Sequence, residues 1–141
     1  MKVVPTAIPA SERWWITDMF PGARPLDGLE AALLRAVPDP PTSLMDQLER
    51  DEHGLHRAIL RLLPSDATEL VLVINQFEEV FTLVEDEAVR VHFLGSLESA
   101  VRDPRSRLRV VTTLRADFYD RPLLYRGFAE LFKSRVEAVI P

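Results

Sequence analysis

The sequence predicts an α/β fold with a mainly parallel sheet and flanking helices, and three observations carry that prediction. Strand-like and helix-like segments alternate along the chain, the pattern that builds a parallel sheet through crossover helices. Residues 70–75, LVLVIN, open with five apolar residues in a row, as expected of a strand covered on both faces. Between that run and the next β-branched run, residues 76–107 hold one helical period, the length of a crossover joining two parallel strands.

Taken in order, residues 1–12 carry Pro5 and Pro9 and no usable period, so they are expected to be loose. Residues 14–20, WWITDMF, are aromatic and β-branched and read as a strand leaving through the turn PGARP. Trp14 and Trp15 should point to opposite faces of it, with at least one in the core. Leu26, Leu29, Leu33, Ala36 and Val37 then recur at spacings of three and four, one face of a helix. PDPP at 38–41 stops that helix, and Thr42 or Ser43 is placed to cap a second one sharing Leu44 and Leu48. A third helical stripe joins Leu55, Ile59, Leu62 and Leu63. After strand 70–75, the helical period returns from Asp86 to Arg102 and ends at Asp103-Pro104. Residues 108–114, LRVVTTL, predict a further strand, residues 121–134 a final helix and residues 136–140 a short last strand. Phe77 and Phe81, four apart, are expected on the packing face of the helix that opens after strand 70–75.

A length of 141 residues suits one domain, expected over 13–141 after the loose start at 1–12. The net charge of −5 supplies no global attraction to nucleic acid or anionic lipid. The chain has no cysteine, which removes disulfides and thiolate metal sites and agrees with a reducing compartment. No apolar run approaches the roughly 20 residues of a membrane span, and the start has no secretory pattern. The expectation is a cytoplasmic protein that is not embedded in a membrane.

Ligands of open parallel sheets gather outside the carboxyl ends of the strands. Two polar clusters fall there if strands 70–75 and 108–114 are parallel. The first is Asn75, Gln76, Glu78 and Glu79, and the second is Arg115, Asp117 and Asp120. Carboxylates, an amide and an arginine converging on one edge suit phosphate chemistry, because Mg²⁺ takes carboxylate oxygens and bridges to phosphates. The plainer reading stands beside it. Acidic residues after a strand often favour the positive end of the next helix, and Arg115 could simply pair with Asp117 or Asp120. Elsewhere, His53 and His56 have a spacing metal sites use, but no third ligand is evident. Arg102, Arg105, Arg107 and Arg109 form a basic turn without interleaved aromatics, so local ion pairs account for it better than nucleic acid does. No G-x-S-x-G motif supports serine catalysis.

Three stretches, SERWWITDMFPGARPLDGLEAALLRAV, LVLVINQFEEVFTLVEDE and DPRSRLRVVTTLRADFYDRPLL, resemble the novel STAND NTPase domain of bacterial signalling proteins. The resemblance runs from about Ser11 to Pro141, and TLRADFYDRPLL is its most specific part. It implies a P-loop NTPase-like fold that binds ATP or GTP with Mg²⁺ and acts in signal transduction, often beside WD40 repeats. It further implies that 70–75 is the Walker B strand, that Asn75 stands where an acid serves the Mg²⁺ shell, and that Glu78 orients the attacking water, with Glu79 as the alternative. By the same resemblance Arg115 senses the terminal phosphate, and Asp117 and Asp120 hold that arginine or its loop.

Two departures qualify this. Asn75 replaces the Walker B aspartate, keeping the shape and losing the charge. No G-x-x-x-x-G-K-[ST] occurs in the chain, and its lysines, Lys2 and Lys133, do not follow a glycine. The family's phosphate loop would lie upstream of Ser11, so the fold is expected to lack its first strand and that loop. The missing strand belongs between the last two strands present, which should then face a gap or pair directly. The expected function is a truncated or degenerate STAND-type NTPase domain without ATP hydrolysis of its own. The alternatives are a non-enzymatic module that pairs with an intact relative through an exposed sheet edge, or a gene remnant.

Overall fold

The computed structural model describes residues 14–64, 68–115, 117, 121 and 137–139. Four strands, β1 (Trp14–Met19), β2 (Glu69–Ile74), β3 (Leu108–Thr113) and β4 (Glu137–Val139), form one sheet in the order β1-β2-β3-β4. Every neighbouring pair is parallel. The described helices are α1 (Pro25–Ala36), α2 (Met45–Arg50), α3 (Gly54–Leu62), α4 (Glu79–Thr82) and α5 (Glu87–Arg102). The α/β class follows directly. The loose start expected at 1–12 and, apart from Arg121, the helix expected over 121–134 lie outside the described residues.

Strand alternation divides the apolar residues between two faces. Trp15 and Met19 of β1, Leu70, Leu72 and Ile74 of β2, and Leu108 and Val110 of β3 enter the main core. There they meet Leu29 and Leu33 of α1, Leu48 of α2, Leu55 and Ile59 of α3, and Phe93, Leu94 and Leu97 of α5. Burying each such side chain contributes roughly 1.5–3 kcal/mol, so this face supplies most of the fold's stabilisation. Thr17 lies on the same face, and its hydroxyl donates to the Ala32 carbonyl at 2.9 Å, which locks α1 to β1 without an orphaned polar group. Val71, Val73 and Val111 are buried on the opposite face with Trp14 packed against them. Burial of β2 on both faces is why it is continuously apolar from Leu70 to Ile74, and the two tryptophans do diverge.

Local details depart from the periodic expectation where distant residues intervene. Ser43 accepts from the Met45 N–H at 3.2 Å, but the stronger cap of α2 is Glu30 of α1. Its carboxylate accepts from the Leu44 N–H and the Ser43 hydroxyl, each at 2.8 Å. The Leu44 N–H above all holds the Glu30 carboxyl below its ordinary range, outweighing the opposite push of burial, with Ser43 and Met45 adding to it. Where α2 turns into α3, Gly54 packs so closely on the Gln47 carbonyl that a Cβ would overlap it. The helix expected directly after β2 is split: a turn over 75–78 leads into the single-turn α4, and α5 starts anew with Asp86 accepting from the Ala88 N–H at 2.8 Å. Phe77 therefore precedes α4 instead of lying on its face, although it meets Phe81 edge-to-face with centroids 5.9 Å apart.

Of the two outcomes foreseen for the last strands, the structure has direct pairing: Val111, Thr112 and Thr113 lie opposite Glu137, Ala138 and Val139. The outer strand at the other end of the order is β1. Its odd-numbered backbone groups face β2, as the Asn75 N–H donating to the Met19 carbonyl at 2.8 Å shows. The even-numbered groups face outward, and there the Arg35 guanidinium of α1 donates to the Asp18 carbonyl at 2.5 Å, blunting the free edge. Among the described residues no helix is long and apolar enough to cross a membrane.

Candidate functional site

β2 and β3 are parallel neighbours, with Ile74 opposite Thr112, so both polar clusters stand at one carboxyl edge. The backbone that follows β2 is stitched to both adjacent strands. The Asn75 N–H reaches Met19 of β1, while the Gln76 N–H donates to the Thr113 hydroxyl and the Phe77 N–H to the Thr113 carbonyl, each at 2.8 Å. Gln76 adopts φ 54°, a left-handed conformation that costs a non-glycine residue about 1–2 kcal/mol. The reversal is held by Phe77, which is fully buried one residue later. A rigid turn on a buried aromatic anchor thus presents Asn75, Glu78 and Glu79 at the edge.

Each of these side chains has a partner. The Asn75 amide donates to the Asp18 carboxylate of β1 at 3.3 Å. Glu78 accepts from the backbone N–H of Arg115 at 3.3 Å. Glu79 accepts from the backbone N–H of Gly22 at 2.9 Å, tying α4 to the turn after β1, where Gly22 sits at φ 62°. The Arg115 guanidinium donates to the Asp117 carboxylate at 3.1 Å, and both side chains are largely exposed. The structure therefore brings Glu78, Arg115 and Asp117 into one chain of contacts, sets Asn75 apart on the β1 side, and engages Glu79 with the backbone. Asp120 lies outside the described residues. Sequence reasoning missed Asp18 and Thr113. The available signal was a polar residue near the carboxyl end of each neighbouring strand.

Whether this edge fits a nucleotide and its Mg²⁺ turns on donor chemistry. Among the described residues no three His, Cys, Asp or Glu side chains are grouped to hold a metal ion. Mg²⁺ keeps most of its waters and takes one or two carboxylates beside substrate phosphates, so an all-protein cage is not required, but the oxygen at position 75 belongs to a neutral amide. The sequence has no glycine-rich phosphate loop, so neither a backbone N–H cradle nor its lysine comes from these residues. The residues present do not fit a tightly held nucleotide–metal pair.

The remaining features resolve locally. His53 sits at the N-cap position of α3 without a side-chain capping bond, and its Nδ1 lies 2.7 Å from the Ser99 hydroxyl. His56 is buried with Nε2 3.3 Å from the Asp103 carboxylate but without hydrogen-bond geometry. Burial pushes its pKa down, and the neighbouring Asp103 only partly opposes this. In the basic turn, Arg102 pairs with Glu98 at 3.5 Å, Arg105 with Asp103 at 4.0 Å and Arg109 with Glu69 at 2.9 Å. Arg107 donates to the Thr68 carbonyl at 2.9 Å, and Arg109 also lies 4.8 Å from the Trp14 ring centre. A groove of about 740 Å³ opens at the opposite, amino end of the sheet, lined by Trp15, Pro38, Leu44, Arg50, Arg61 and Pro64. None of the phosphate-directed residues lines it, so the strand-end chemistry is the better guide to the site.

Comparison with curated proteins gave no match, and comparison with solved structures gave none. The family model for Novel STAND NTPase 1 matches residues 2–141, nearly the whole chain, and the protein belongs to that family.

Proposed function

We propose that this STAND NTPase domain no longer hydrolyses nucleotide and that its carboxyl edge survives as the nucleotide-facing side of the family's site. The observation that carries the reading is Asn75: the residue leaving β2, where the family's acid serves Mg²⁺, is an amide turned toward Asp18. Within the reading, the edge would meet the phosphates of ATP without a carboxylate at position 75 to hold Mg²⁺. Glu78 is favoured over Glu79 as the former water-orienting acid, because Glu78 adjoins Arg115 while Glu79 is occupied by Gly22. Arg115 is assigned to the terminal phosphate, with Asp117 holding its guanidinium. A role in cytoplasmic signalling, beside WD40 repeats in relatives, belongs to the same proposal.

The test is titration of the purified chain with Mg-ATP and Mg-GTP, with phosphate release followed in parallel. We expect no turnover. Turnover abolished by Glu78→Gln would overturn the loss of hydrolysis. Saturable binding that disappears with Arg115→Ala supports the nucleotide-facing edge, and no binding at millimolar nucleotide would sink it. In that event a second reading takes over, a non-enzymatic module that pairs with an intact relative along the outer edge of β1. Ile16 and Phe20, about half exposed there, favour that surface.

A further inference from the structure

The end of β2 carries an amide, Asn75, where the resemblance implies a carboxylate, and the structure places a carboxylate, Asp18, beside it. Met19 of β1 lies opposite Ile74 of β2, which places Asp18 and Asn75 beside each other at the ends of adjacent strands. Asn75 Nδ2 is 3.3 Å from Asp18 Oδ2. The orientation of the amide follows from charge, since an ionised carboxylate accepts and never donates. Only the NH₂ end of Asn75 satisfies Asp18, and this turns the Asn75 carbonyl oxygen away from β1. An aspartate at position 75 would instead set one anionic oxygen against another at the same separation. Like charges that close repel, more weakly where solvent reaches them, as it does here. Residues 18 and 75 are therefore matched: with Asp at 18 the amide fits at 75, and with Asp at 75 a neutral residue fits at 18.

We propose that Asp18 and Asn75 are an exchanged acid–amide pair. The negative charge expected at the end of β2 stands at the end of β1, and Asp18 is a positioning residue that aims the Asn75 carbonyl oxygen at the ligand side of the carboxyl edge. That ligand side rests on the proposed nucleotide-facing role of the edge; the pairing itself does not. It has a consequence for repair of the site. Restoring the family's acid with Asn75→Asp alone places two carboxylates together, and the acid is accommodated only when Asp18 is neutralised as well.

The test uses the full chain as wild type, Asn75→Asp, Asp18→Asn and the double variant, unfolded by urea at pH 7 in low salt. Asn75→Asp should weaken the folding equilibrium by about threefold, the size expected of an exposed charge pair. The double variant should recover most of that loss, and added salt should shrink the difference. A second readout is the Asn75 side-chain amide resonance, which should move in Asp18→Asn and return toward its wild-type position in Asp18→Glu. If Asn75→Asp is tolerated, or its effect simply adds to that of Asp18→Asn, the pair is not coupled and the proposal falls. If Asn75→Asp does not fold, a folded double variant supports the pair, and an unfolded double beside a folded Asp18→Asn overturns it. None of these measurements involves nucleotide, so failure of the pair leaves the nucleotide reading standing, and failure of nucleotide binding leaves the pair.

Discussion

Along β2 the chain passes within a few residues from a surface made by exclusion of water to one made by polar pairing. Leu70, Leu72 and Ile74 are no more than 2% exposed and belong to the core that α1, α2, α3 and α5 share. Directly after them, Asn75, Glu78 and Glu79 each spend a polar atom on Asp18, the Arg115 N–H and the Gly22 N–H. The helix-covered face would survive the exchange of one aliphatic residue for another of similar volume. The carboxyl edge would not tolerate an equivalent exchange, because its bonds depend on which atom donates. The comparison teaches that the edge residues have structural work whether or not a ligand ever reaches them. Acidic residues at a strand end are therefore not by themselves a sign of catalysis.

The sharpest way to break this contrast is at Phe77, the point where the two regions join. Phe77→Ala should cost about 3–5 kcal/mol in urea unfolding, as expected for a fully buried aromatic. A loss below about 1 kcal/mol would mean that the edge turn is not anchored by the core. The next effect concerns a polar group inside the packed region. His56 is held neutral by burial, so its pKa in the folded chain lies below that in the unfolded chain. The unfolded state then binds the proton more tightly, and the contribution present above about pH 6.5 is lost as pH falls toward the folded value. The groups facing His56 are Asp103, which opposes the shift, and Arg105, His53 and Arg57, which reinforce it. Urea midpoints followed from about pH 8 to 5 should fall in wild type and fall less in His56→Gln. Equal slopes would remove His56 from the account. The smallest effect is expected at Gln76, whose left-handed backbone costs about 1–2 kcal/mol, against about 0.5–1 kcal/mol for the extra freedom glycine has when unfolded. Gln76→Gly should therefore stabilise by about 0.5 kcal/mol, and a destabilised variant would show that the Gln76 side chain contributes to the edge.

Much of the fold was legible because hydrophobic period reports which face of an element is covered. The stripe Leu29–Leu33 marked α1, Leu55–Ile59 marked α3, and Phe93, Leu94 and Leu97 marked α5. β2 is shifted by one residue from its expected limits, beginning at Glu69 and ending at Ile74, because Glu69 lies opposite Trp14 while Asn75 already turns. The single turn of α4 was not legible, since it exists only because Phe77 and Val80 are drawn into the core within four residues. The cap on α2 was not legible either: Glu30 lies fourteen residues before the N–H it serves. At the edge, the sequence pointed to Asn75, Glu78, Glu79, Arg115 and Asp117 as neighbours of one boundary. It could not say that Glu79 faces Gly22 and Glu78 faces Arg115, because those partners come from the segments that follow other strands.

By itself the sequence determined the α/β class, the helical stripes, the buried character of β2, the family and the amide at position 75. These are properties of local pattern or of residue identity, and they need no knowledge of what lies across the sheet. Tertiary structure alone decided that β3 pairs directly with β4, that Arg35 covers the outer edge of β1, and that Asn75 meets Asp18. Each of those is a contact between segments far apart in the chain, fixed only once strand order and register bring particular donors to particular acceptors.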